Sequence, residues 1–224
     1  MRILFVGDSM TLGCAGEYTW RHRMWQHLER TCGEPYRIVG PRDTLHEDSH
    51  EYADQAFPAA ARRHLAGWGH GGHHMAPVVG EAVRTCGADT LLVSLGLIDL
   101  GFYTDAGQTE ANVRRFVAAA REAQPRVRAV VLPVLPNVRA VDDPAFGAEC
   151  VRFNELLAKA VADLSTPTSP LLLAAPPADW DVARDTHDGT HPSSHGEHRI
   201  AAAFADALHQ AWSVGGPYAA GVLA

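Results

Sequence analysis

MRILFVGDSMTLG, residues 1–13, begins with a short apolar run, Ile3 to Val6, that stops at a Gly-Asp-Ser turn. A continuous run of this length, closed by a turn, reads as a strand buried on both faces of a parallel sheet. Four further runs share its character: YRIVG (36–40), TLLVSLG (90–96), VRAVVLPV (127–134) and PLLLAAP (170–176). Between them, apolar residues recur at helical spacing. Trp20, Met24, His27 and Leu28 share one face, Val113, Phe116, Val117 and Ala120 a second, and Val151, Leu156, Leu157 and Val161 a third. A last helix is expected over Glu197 to Trp212. This alternation predicts an α/β fold with a doubly wound parallel sheet of about five strands.

The 224 residues suit one domain. We assign it to residues 1–212 and read SVGGPYAAGVLA (213–224) as a loose, flexible tail. Apolar residues make up 46% and charged residues 20%, as in an ordinary globular protein. The net charge of −7 and the lack of a Lys/Arg cluster argue against a nucleic-acid partner. No stretch approaches the ~20 apolar residues of a membrane span. The opening residues also lack the pattern of a secretory signal, so a cytoplasmic protein is expected. Cys14, Cys32, Cys86 and Cys150 are scattered, with no CxxC pair, which suits free thiols in a reducing compartment. No metal ion or cofactor is expected.

In a sheet of this kind, ligands sit outside the carboxyl ends of the strands. GDSM (7–10), GLID (96–99) and PNVR (136–139) each follow a predicted strand and reach the same rim. A serine hydroxyl there needs a base within hydrogen-bond reach, and the base needs an orienting group. DGTHPSSHG (188–196) offers both. Asp188 and His191 are three residues apart on one turn, so His191 can take the proton of Ser9 while Asp188 fixes the tautomer. Each piece alone has a plainer reading, as a strand-ending turn or a helix cap. Together, at opposite ends of an α/β chain, they point to nucleophilic catalysis.

With these residues in view, the sequence resembles the SGNH hydrolases of the GDSL esterase/lipase type, from GDSMTLG at 7–13 to DGTHPSSHG at 188–196. The resemblance implies a three-layer α/β/α sandwich. It implies Ser9 as nucleophile, with Asp188 and His191 as its partners. It also implies an oxyanion hole from the backbone N–H groups of Ser9 and of a glycine in GWGHGGH (67–73). Gly72 is the best match there, with Gly71 or Gly69 as alternatives. The family's third block reads G-x-N-D, and its asparagine donates to the oxyanion. Here Ile98 stands in that place, and an isoleucine side chain donates nothing. Three outcomes stay open: two backbone donors serve an activated ester or thioester, Asn137 or a histidine of the second block supplies the third donor, or the site binds without much turnover. Asp99, which follows, is expected to hold loops.

The expected activity is hydrolysis of a small or medium acyl ester through an acyl-enzyme. Two alternatives remain open at this stage: acyl transfer to an alcohol or amine, and a binding module without turnover. Asp8, His73, Ile98 and Asn137 are expected to contact substrate. The cluster His70, His73 and His74 lies in what reads as a glycine-rich loop, which favours a place near substrate over a metal site. DTLHEDSHEYAD (43–54), with His46 and His50, is expected to form a solvated flap over the site. Trp20, Trp25 and Trp68 are candidates for an apolar pocket wall, with ordinary packing equally open for Trp25.

Overall fold

The computed structural model describes residues 1–218. Each apolar run noted above contains a strand: β1 (Arg2–Gly7), β2 (Arg37–Val39), β4 (Thr90–Ser94), β5 (Arg128–Leu132) and β6 (Leu171–Leu173). A sixth, two-residue strand, β3 (Leu65–Ala66), was not anticipated. All pair in parallel, in the order β2-β1-β4-β5-β6. β2 pairs with Arg2 to Leu4 of β1, and β3 pairs with Val6 and Gly7. The two therefore share one flank of β1, and β3 delivers the segment after Ala66 to the carboxyl rim beside Ser9.

The helices are α1 (Ser9–Leu12), α2 (Thr19–Thr31), α3 (Gly72–Cys86), α4 (Ala106–Ala123), α5 (Val138–Asp142), α6 (Pro144–Leu164), α7 (Val182–Asp185) and α8 (Ser194–Trp212). α2 packs on α8, while α3 packs on α4 and α4 on α6. The sheet is thus covered by helices, and the predicted α/β class holds. Most residues of the expected helix faces are buried, Val113 and Leu156 only partly, whereas Val151 of α6 is 60% exposed. Among the described residues, no helix is long and apolar enough to cross a membrane.

Several expectations change. Trp20 is fully buried, edge-on to Phe5 at 5.2 Å and stacked on Phe204 at 4.7 Å, so it belongs to the core and not to a pocket wall. Trp25 packs on Phe57 and borders a groove beside β2, away from Ser9. The 43–54 stretch is only partly solvated, because Leu45 and Tyr52 are buried. Residues 213–218 are not loose. Gly216 O lies 3.0 Å from His27 Nε2, Gly215 O lies 2.9 Å from His209 Nδ1, and the Tyr218 hydroxyl lies 2.7 Å from His198 Nδ1. The remainder of the expected tail, 219–224, lies outside the described residues.

Candidate active site

β1 ends at Gly7, where a Cβ would overlap the Thr11 hydroxyl, so only glycine lets α1 fold back over the strand end. Asp8 adopts an extended conformation, and its carboxylate accepts the Met10 N–H at 2.9 Å, as an N-cap should. Leu12 N–H and Gly13 N–H donate to Asp8 O and Ser9 O, each at 2.9 Å, closing the single turn. Ser9 therefore sits at the first position of α1, directly over the strand end. Asp8 itself is 2% exposed and does not line the Ser9 cleft, which corrects its expected substrate contact. Burial drives its carboxyl up to about 7, against the downward pull of the Met10 N–H.

The partners of Ser9 arrive from the far end of the chain. Asp188 Oδ1 accepts the N–H groups of Thr190 (2.9 Å) and His191 (2.7 Å), so Asp188 builds the turn that presents His191. Asp188 Oδ2 lies 2.6 Å from His191 Nδ1, and His191 Nε2 lies 3.0 Å from Ser9 Oγ. A carboxylate accepts only, so Nδ1 carries the proton and Nε2 is left to accept from the serine. Partial burial pushes the Asp188 carboxyl up. The bonds from the His191 imidazole and from two backbone N–H groups outweigh it and hold the group down at about 2. Val138 N–H donates to Gly189 O at 2.7 Å, fixing this turn to the start of α5.

A cleft of about 280 Å³ opens on Ser9 and His191. Trp68, Leu97, Ile98, Phe102 and Phe146 give it apolar walls, and Gly69, Asn137 and Arg139 add polar groups. Trp68 stacks on His191 at 4.9 Å and on His46 at 4.1 Å, with planes within 20° and 23°. Of the three tryptophans considered above, only Trp68 reaches the site. Ile98 and Asn137 line the cleft. Asn137 Oδ1 accepts the Ala140 N–H at 3.0 Å as the cap of α5, and its Nδ2 makes only a long contact, 3.3 Å, to Thr190 Oγ1.

Gly72 and His73 are placed differently. Both begin α3, so His73 and His74 lie on a helix, while His70 remains in the loop before it. Gly72 N–H donates to Asp99 Oδ2 at 2.6 Å and is not free to bind an oxyanion. His73 gives its N–H to Asp99 Oδ1 at 3.2 Å, its Nδ1 lies 3.2 Å from the same oxygen, and its ring turns to Tyr103, outside the cleft. Asn112 Nδ2 donates to Asp99 as well, at 3.0 Å. Asp99 is fully buried and anchors the first turn of α3 to the segment after β4. At Gly71 a Cβ would overlap this carboxylate. Gly69, by contrast, lines the Ser9 cleft, and neither its N–H nor that of Ser9 has a hydrogen-bond partner among the described residues.

Arg139 and Phe146 were not singled out from the sequence. Arg139 lies over the Phe146 ring at 4.2 Å and donates to Gly101 O at 2.7 Å. These two residues are brought to the cleft by α5 and α6; Arg139 ends the PNVR stretch expected on this rim, whereas no local motif marks Phe146.

The fold is α/β with a candidate site at the strand ends, and the family to which the chain belongs makes it a carboxylic ester hydrolase. The chain belongs to the GDSL-like Lipase/Acylhydrolase family, whose model matches residues 5–199. Among solved structures, it is similar to an acetyl esterase mutant with an acetate ion, at 22% identity and TM-score 0.77 over 94% of this chain and 97% of that one. A carbohydrate esterase family 3 protein from Talaromyces cellulolyticus gives the same values. A Clostridium thermocellum family 3 carbohydrate esterase follows at 18% identity and TM-score 0.75, over 94% and 96%. At these identities the likeness speaks to the fold. A comparison with curated proteins found no match.

Proposed function

We propose that the chain hydrolyses esters of short acyl groups, with Ser9 as nucleophile, His191 as general base and then acid, and Asp188 as the group that orients His191. The observation that carries this reading is the unbroken line from Asp188 Oδ2 through His191 to Ser9 Oγ, at 2.6 and 3.0 Å. His191 Nε2 takes the hydroxyl proton as Oγ attacks the ester carbonyl. Asp188 remains ionised and stabilises the imidazolium. His191 then returns the proton to the departing alkoxide, and water repeats the cycle on the acyl-enzyme.

The backbone N–H groups of Ser9 and Gly69 receive the oxyanion. Gly69 replaces Gly72 in this role, because Asp99 occupies the Gly72 N–H. Asn137 Nδ2, on the cleft wall, is the third donor in place of the family's asparagine at Ile98. Leu97, Ile98 and Phe146 leave room for a short acyl chain. The acetyl esterase of similar fold supports an acetyl-sized group. The test is a series of p-nitrophenyl esters from acetate to octanoate. Turnover is expected to fall beyond the shortest chains. Ser9→Ala is expected to lose about 10⁶-fold in kcat, the scale of nucleophile removal in serine hydrolases. Unchanged turnover in Ser9→Ala would contradict the reading.

A further inference from the structure

Trp68 stands on the wall of the Ser9 cleft between two histidines. His191 stacks on it at 4.9 Å and His46 at 4.1 Å, with planes within 20° and 23°. Two rings at these distances on one face of an indole would lie against each other. Among the described residues His46 and His191 do not, so they take opposite faces. The turn that presents His46 is strained. Glu47 and Asp48 both have φ of 55°, a left-handed backbone that residues with a side chain rarely adopt. Its anchors are on both sides: Leu45 N–H donates to Ser49 O at 2.8 Å, His46 N–H donates to Gly13 O at 2.9 Å, and the Leu45 side chain is fully buried. Gly13 closes the α1 turn that carries Ser9, so His46 is tied to the same turn as the nucleophile.

We propose that Trp68 is a positioning residue for His191, braced from behind by His46. The proposal rests on the reading of His191 as general base given above. Asp188 Oδ2 and Ser9 Oγ meet His191 at its two nitrogens, 2.6 and 3.0 Å away. Tilting the ring about the line through those nitrogens barely disturbs either bond. The hydrogen bonds therefore set where the nitrogens lie, and the indole face sets the plane of the ring between them.

The same face serves the chemistry. When Nε2 takes the Ser9 proton the ring becomes positive, and the π face of an indole attracts a cation laid against it. Trp68 then interacts more strongly with the charged ring of the transition state than with the neutral resting ring, and only such a difference raises kcat. Because each face of the indole already carries a ring, Trp68 acts through His191 and not as a stacking platform for substrate.

Substitution separates this role from packing and from substrate contact. Trp68→Leu keeps apolar bulk without an aromatic face, and Trp68→Phe keeps a face. For p-nitrophenyl acetate, kcat is expected to fall about tenfold in Trp68→Leu and to stay within about threefold of the parent in Trp68→Phe. KM is expected to change less than kcat. Fluorophosphonate labelling of Ser9, which needs no ester, is expected to slow by the same factors as kcat. His46→Ala is expected to lose about threefold and His46→Phe to recover most of that loss. Trp68→Leu combined with His46→Ala is expected to lose no more than Trp68→Leu alone, since His46 acts through the indole. Equal losses in Trp68→Leu and Trp68→Phe, a loss confined to KM, or additive losses in the double variant would overturn the proposal. Should Trp68→Leu not fold, the His46 variants decide, and a parental rate in His46→Ala would overturn it. A parent protein that neither hydrolyses esters nor takes the label overturns the general-base reading and this proposal with it, whereas an active parent indifferent to the aromatic face overturns the proposal alone.

Discussion

At Asn137 the side chain has two separable tasks. Its oxygen accepts the Ala140 N–H at 3.0 Å and starts α5, while its Nδ2 faces the cleft with only a 3.3 Å contact to Thr190. Asn137→Asp keeps an oxygen for the cap and removes the donor. We expect a fall in kcat of about 10²–10³, the cost of one oxyanion donor, with thermal stability close to the parent. Steady-state kinetics and a melting curve on the same sample check both halves. A parental kcat would remove Asn137 from the oxyanion hole. Ile98, also on the cleft wall, carries no donor of its own.

At the scale of elements, Asp99 ties the start of α3 to the segment after β4, accepting from Gly72 N–H, His73 N–H and Asn112 Nδ2. Asp99→Ala leaves those buried donors unpaired. Each unsatisfied group costs about 1–3 kcal/mol, and part of that is recovered by relaxation, so we expect a loss of about 2–4 kcal/mol in urea unfolding. A change within error would show that the anchor is dispensable. The motif strands, the Ser9 turn and the Asp188 turn were legible in the sequence because each is a local pattern: an apolar run, a cap, an Asp three residues before a His. α3 was not. GHGGHHM carries too many glycines and histidines for a helical periodicity, and the helix starts there because a carboxylate 27 residues away receives its first N–H groups. That distant acceptor also takes up the N–H of Gly72, the glycine expected from the sequence to serve an oxyanion. β3 is only two residues long and leaves no pattern to read. Phe146 reaches the cleft through tertiary packing, which no spacing encodes.

Across the whole molecule, burial sets an acid-sensitive balance. His22, His27, His64 and His198 are all pushed below the ordinary histidine range by burial, His198 to about 4. The folded chain keeps them neutral, while the unfolded chain binds protons below pH ~6.5. Stability from these four is therefore full above ~6.5 and declines as pH falls below it, for His198 down to about 4. Asp8, pushed up to about 7, and Glu197, also raised by burial, act in the opposite sense, favouring the fold as pH falls. Four groups against two predict a lower melting temperature at pH 5 than at pH 7.5. Scanning calorimetry at the two values checks this, and an equal or higher value at pH 5 would contradict it. Below ~4, protonation of Asp188 and Asp185, each held at about 2, adds to the loss.

The central claim is that Ser9, fixed over the end of β1, is activated by a histidine from the other end of the chain. Reaction with a fluorophosphonate, followed by intact-mass measurement and peptide mapping, tests it most directly, because the reagent marks an activated serine whatever ester the protein prefers. One adduct per chain is expected, on the peptide carrying Ser9, absent in Ser9→Ala and formed far more slowly in His191→Ala. No adduct on the folded protein, or an adduct that persists in Ser9→Ala, would contradict it.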